Sequence, residues 1–214
     1  TESLGTVIHG IDLEPGAEAV MCDQDYGSML EQFRQQSRRR GLKCVEIQVP
    51  LHPSSDEEIV GVYARAITPR TKLLLVSHMI NITGQILPVR KIADMAHARG
   101  VDVIVDGAHS FAHVSFSMPE LDGDYFGASL HKWLCTPLAA GLLHIKKEKI
   151  RAVWPLFGDT SAPDDDIRKL ERIGTHPSWT VMAIADAIRF HELVGGERKE
   201  ARLRFLQQYW TDRV

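Results

Sequence analysis

The sequence predicts an α/β fold, a mostly parallel sheet covered by helices on both faces. Two observations carry that prediction. Short apolar runs bounded by turn residues alternate with stretches of helical period along most of the 214 residues. Gly41 and Gly100 each stand directly after a helical stretch that ends in arginine, the expected C-terminal stop.

The strands in order are 19–22, 44–49, 73–77, 101–105, 124–128 and 141–145. Each is short and mostly apolar, as a strand buried on both faces should be. Helices are expected at 29–40, 56–66 and 89–99, with a helix start at Thr1 and a longer helix at 178–194 after the last strand. The chain ends inside an amphipathic run, 197–213, and both ends read as internal to a longer protein. Between the last strand and the late helices, 151–172 holds Pro155, Gly158, Pro163 and the triplet Asp164-Asp165-Asp166, which break any period and predict a surface excursion.

Composition narrows the function. With 44% hydrophobic and 25% charged residues the chain reads as one large domain, and a net charge of −3 gives no electrostatic case for nucleic acid or an anionic membrane as partner. The basic cluster Arg38-Arg39-Arg40 sits at a helix end, where it complements the dipole. Cys22, Cys44 and Cys135 form neither a disulfide framework nor a metal knuckle, which points to a reducing, cytoplasmic setting. No apolar run reaches the length of a membrane span, and the sequence opening at Thr1 is not a signal peptide. Small-molecule chemistry remains.

In open α/β sheets ligands sit beyond the carboxyl ends of the strands. Those positions hold Asp23, Asn81, Asp106, and Ser129 with His131 and Lys132. Asp106 alone could cap the next helix; Lys132 alone could be a solvated loop residue, Ser129 a turn former and His131 a core histidine. Together they supply an amine, a carboxylate and phosphate donors. Pyridoxal phosphate requires those partners, together with a group against its ring face. Gly127-Ala-Ser129-Leu-His131 also comes near the nucleophile elbow of serine hydrolases, with histidine in place of its last glycine, so a hydrolase using Ser129 is the alternative.

The motifs Thr1-Glu2-Ser3-Leu4, Ser77-His-Met-Ile-Asn81-Ile-Thr-Gly84, Val105-Asp106-Gly-Ala-His109, Ser129-Leu-His131-Lys132 and Gly174-Thr175 occur in the order and spacing that resembles the class V aminotransferases of fold type I. The resemblance is to the branch containing isopenicillin N epimerase and the cysteine desulfurases. It implies that residues 1–214 are the large, pyridoxal-phosphate-binding domain of a fold type I transferase. That domain would be incomplete at its N-terminus, with 178–214 leading toward a small C-terminal domain. By the same resemblance Lys132 carries the cofactor as a Schiff base and Asp106 pairs with the pyridine nitrogen. His109 and Asn81 reach the ring hydroxyl, and Ser129, His131 and Thr1 hold the phosphate. Tyr26 is the candidate for the stacked ring, with a half-buried loop tyrosine as the other reading. Thr175 would reach the phosphate of a neighbouring copy, which implies a homodimer with shared sites. The substrate implied is an amino acid or a peptide bearing one, with epimerase-like or lyase chemistry preferred over desulfuration and transamination.

Overall fold

The computed structural model describes residues 1–138, 140–158 and 161–213. Six strands form one sheet: β1 (Glu18–Cys22), β2 (Lys43–Ile47), β3 (Thr71–Ser77), β4 (Asp102–Asp106), β5 (Tyr125–Ser129) and β6 (Gly141–Ile145). Their order is β2-β1-β3-β4-β5-β6, with all neighbours parallel except the antiparallel β5–β6 pair. The mostly parallel sheet read from the sequence is therefore present, with β6 as the antiparallel edge.

The two faces follow from the strand period of two. Val20, Leu74, Val76, Val103, Val105 and Phe126 point to one side, under α3 (Asp56–Ala66) and α4 (Val89–His97). Ala19, Met21, Leu73, Leu75, Ile104 and Tyr125 point to the other, under α1 (Glu2–Gly10) and α2 (Gly27–Arg40). After β1 the chain crosses outward through α2 to β2, then returns over the opposite face through α3 to β3. Right-handed crossovers demand this change of face when the direction of travel reverses. The loops leaving β1 and β3 consequently diverge, and a crevice opens between those strand ends.

Most boundaries agree with the sequence within a residue or two. Gly41 takes the left-handed conformation at φ +74° after α2, and Gly100 does the same at +68°. A short helix, α5 (Met118–Leu121), is closed by a capping box in which the Ser117 and Glu120 side chains each serve the other's backbone. The stretch expected as one helix over 178–194 is two, α6 (Trp179–Met182) and α7 (Ile184–Val194), joined at Ala183; α8 (Gly196–Thr211) follows after Gly195 at φ +84°. A 3₁₀ turn, Lys147–Ala152, leads into the irregular segment, and a second, Ile167–Leu170, lies within it and is capped by Asp166. The segment runs back against α1: the Trp154 amide donates to the Gly10 carbonyl at 2.8 Å, and a Cβ on Gly10 would lie 2.4 Å from the Trp154 carbonyl oxygen. Residues 159 and 160 of that segment lie outside the described residues. Among the described residues no helix is long and apolar enough to cross a membrane.

Candidate functional site

A cleft of about 120 Å³ opens at the carboxyl ends of β1, β4 and β5, bounded by Thr1, Tyr26, Asp106, Ser129, His131 and Lys132. All six residues sit at or just past a strand end or at a helix N-terminus, so the sheet, α1 and α2 fix their positions. Lys132 is held in the tight turn after β5, where its amide contacts the Ser129 carbonyl at 3.4 Å. Its ammonium donates to Nε2 of His109 at 2.9 Å and lies 5.6 Å from the centre of the Tyr26 ring. Burial, followed by the Lys132 charge, holds the His109 imidazole below its ordinary pKa, which favours the neutral ring that can accept this hydrogen bond.

Asp106 closes the floor of the cleft. It is buried, and one carboxylate oxygen accepts from the Ala108 amide at 2.9 Å while the other has no partner among the described residues. Burial raises its pKa; the Ala108 amide and the Lys132 charge oppose the rise. Gly107 follows because Phe126 fills the space a side chain would need: a Cβ there would lie 2.1 Å from Cζ of that ring.

The polar wall opposite is left unpaired. The Ser129 hydroxyl makes no hydrogen bond among the described residues, and Nδ1 of His131 is buried without a partner. The hydrolase reading needs Ser129 bonded to a base, and that pair is not formed. Thr1 is the N-cap of α1, whose first turn points free amides toward this wall. Tyr26, the residue before α2, is 42% exposed and faces the cleft.

Three expected residues lie outside the cleft lining, and of these His109 reaches it through its contact with the Lys132 amine. Asn81 stands in an exposed turn after β3 and does not line the cleft. Thr175 is exposed beside Gly174, which takes φ +79°; its neighbours Ile173 and His176 border a second cavity of about 540 Å³ that shares Thr1, Ser129 and His131 with the cleft.

Three further groups that support the site are not marked by any motif of the sequence. His113 stacks on Trp133 at 3.6 Å between ring centres and donates from Nδ1 to the His109 carbonyl at 2.9 Å. It thereby braces both His109 and the loop carrying Lys132, and its spacing of four residues from His109 was the only clue. On α8, Lys199 donates to the Trp133 carbonyl and Glu200 accepts from the Ser115 amide at 2.7 Å. Asp25 is buried between the ends of β1 and β3.

These side chains fit pyridoxal phosphate: an amine, a buried carboxylate with a free oxygen, an aromatic face, and unpaired donors beside a helix N-terminus. The family described as "Aminotransferase class-V" matches over residues 1–214. An isopenicillin N epimerase from Amycolatopsis lactamdurans is 30% identical over 94% of this chain and 55% of its own length. The apo structure of a cysteine desulfurase from Thermococcus onnurineus NA1 superposes with a TM-score of 0.84 at 25% identity, covering 99% of this chain and 55% of that one. A C-DES variant, solved with glycine covalently linked to its pyridoxal-phosphate cofactor, superposes with a TM-score of 0.82 at 22% identity, covering 93% of this chain and 55% of that one. That last likeness is one of fold. The chain spans about half the length of the relatives it matches.

Proposed function

Since this chain belongs to the class-V aminotransferase family, we propose that it is the cofactor-binding part of a pyridoxal-phosphate enzyme that acts on an amino acid or a peptide bearing one. The observation that carries the reading is the Lys132 amine, 2.9 Å from a neutral His109 and in one cleft with the buried Asp106. When bound, pyridoxal phosphate supplies an electron sink for negative charge developing at a substrate carbon.

The chain's own groups divide the remaining work. Lys132 holds the cofactor through its amine and, once substrate displaces it, moves a proton at the substrate α-carbon. His109, uncharged, accepts a hydrogen bond from the Lys132 amine and so orients it. Asp106 holds a proton at the ring nitrogen with its free oxygen. Its burial makes that charge–charge contact strong, because little water screens it. Ser129, His131 and the N-terminus of α1 at Thr1 bind the phosphate, and the Tyr26 ring covers one face. The ring-hydroxyl role of Asn81, and the reach of Thr175 into a neighbouring copy's site in a homodimer, rest on the resemblance alone.

Among reaction types, epimerase-like or carbon–sulfur lyase chemistry is preferred. Relatives named for epimerisation and for desulfuration are both similar to this chain. Borohydride treatment of the full-length protein loaded with pyridoxal phosphate, followed by peptide mapping, tests the reading. The expected result is one reduced adduct, on Lys132. A protein that takes up no cofactor, and is labelled at Ser129 by a fluorophosphonate, would overturn it in favour of a hydrolase.

A further inference from the structure

The reversal of strand order between β1 and β3 leaves a crevice where their loops part, and in this chain a buried carboxyl stitches it shut. Asp25 accepts from the Cys22 amide at 2.8 Å through one oxygen. Through the other it accepts from the Ser77 hydroxyl at 2.6 Å and the Ser77 amide at 3.2 Å. Ser77 is the register partner of Asp106 across β3 and β4, and the next amide, that of His78, donates to the Asp106 carbonyl at 2.9 Å. The residue after Asp25 is Tyr26, which enters α2 and faces the cleft. Two strand ends and the aromatic wall thus meet at one carboxyl that does not itself line the cleft, with β4 joined to it through Ser77.

We propose that Asp25 is a positioning residue for the cofactor's ring nitrogen: it acts through Ser77 and Asp106, locking the ends of β1, β3 and β4 together and placing a second carboxyl behind the first. The inference rests on the reading of Asp106 as the ring-nitrogen partner.

A carboxyl so placed acts by charge as well as by tether. Burial pushes its pKa up to about 7, against the pull of the Ser77 hydroxyl and the Cys22 amide, and the Asp106 charge adds to the rise. The other titratable groups facing it are the Cys22 thiol on β1, pushed up to about 12 by burial, and the Tyr63 phenol on α3, raised further by the same cause. Both are neutral across the ordinary pH range, and Lys132 acts on Asp106 from across the cleft. Asp106 is therefore the charged group that bears on the Asp25 carboxyl here. When Asp25 ionises, its charge favours a proton at the ring nitrogen, so cofactor affinity gains as pH rises through about 7.

The test is the dissociation constant of pyridoxal phosphate for the full-length apoprotein, measured by equilibrium dialysis from pH 6 to pH 8.5 in wild type, Asp25→Asn and Ser77→Ala. At pH 6 Asp25 is protonated in the wild type, so the ratio of Asp25→Asn to wild-type constants reflects shape alone. The ratio should climb about tenfold by pH 8.5, the size of one pKa unit of coupling. Effects of pH on the lysine linkage itself cancel in the ratio. Ser77→Ala keeps the carboxyl but removes its hydroxyl donor, so its affinity gain should appear at higher pH than in wild type; this arm decides the matter if Asp25→Asn does not fold. A ratio independent of pH, with Ser77→Ala following the wild-type curve, overturns the role of Asp25 and leaves the cofactor reading intact. Wild-type protein that binds no cofactor overturns the reading of the site, and this inference with it.

Discussion

Replacing Gly107 with alanine is the smallest change that should disturb both halves of the site. A Cβ at this position lies 2.1 Å from Cζ and 2.2 Å from Cε2 of Phe126, whereas ordinary contact begins near 3.4 Å, so the ring must retreat by about 1.3 Å. It has nowhere easy to go. Phe126 is 2% exposed and packed between Phe111 and Phe116, whose ring centres are 6.3 and 5.9 Å away. Overpacking of this kind costs about 1–3 kcal/mol. At about 2 kcal/mol, and about 2–4 °C per kcal/mol for a domain of this size, the melting temperature should fall by about 4–8 °C. Gly27→Ala is the control, since nothing lies within 4 Å of the added methyl and no loss is expected. Phe126→Leu withdraws the ring's far atoms and alone should cost about 1–1.5 kcal/mol. If the clash is the cause, the double variant Gly107→Ala/Phe126→Leu should be more stable than the two losses added, by about 1–2 kcal/mol of coupling. Urea melts of the four proteins of that cycle supply the numbers. Simple additivity, or a Gly107→Ala protein that melts within about 1 °C of wild type, would refute the packing argument.

The remaining expectations concern the chemistry. Asp106→Asn keeps the shape of the cleft but not the charge opposite the ring nitrogen, so turnover should fall by orders of magnitude while much of the cofactor stays bound; near-normal turnover would reduce Asp106 to a turn residue served by the Ala108 amide. For the shared site, Lys132→Ala and Gly174→Val/Thr175→Ala chains can be co-expressed with different tags and purified as mixed dimers. Activity returning to about half of wild type means that Thr175 serves the neighbouring copy; mixed dimers as inactive as their parents mean that each chain completes its own site.

Much of this arrangement was legible because strand ends are punctuated. Val101 to Val105 is a run of buried residues interrupted only by the half-buried Asp102, so the carboxylate of Asp106 that ends the run is conspicuous. Ser129, His131 and Lys132 stand out after β5 for the same reason. Asp25 did not stand out. It shares a four-residue polar loop with Asp23, which is exposed, and only the fold tells which of the two carboxyls turns inward to Ser77. The break at Ala183 carries no glycine or proline and could not be read from the sequence. Asn81 was read correctly as lying past β3, but an offset of four residues from Ser77 does not determine where a turn points, and this turn leaves the residue outside the cleft lining. The roles of Lys199 and Glu200 depend on a helix with no buried residues, where hydrophobic period gives no guide to contacts.

The anchoring of the Lys132 loop by α8 bears on how the chain is made. The sheet is fully specified once β6 ends at Ile145, yet the bonds to Trp133 and Ser115 come from Lys199 and Glu200, separated from their partners by 66 and 85 positions. Synthesis proceeds at ~5–20 residues per second, so some fifty residues of further elongation take about 3–10 s. During that interval the strands can pair and bury both faces, while the turn bearing Lys132 and the His113–Trp133 stack still lack their outer braces. The nascent protein should therefore acquire a protected sheet before it acquires a finished cleft.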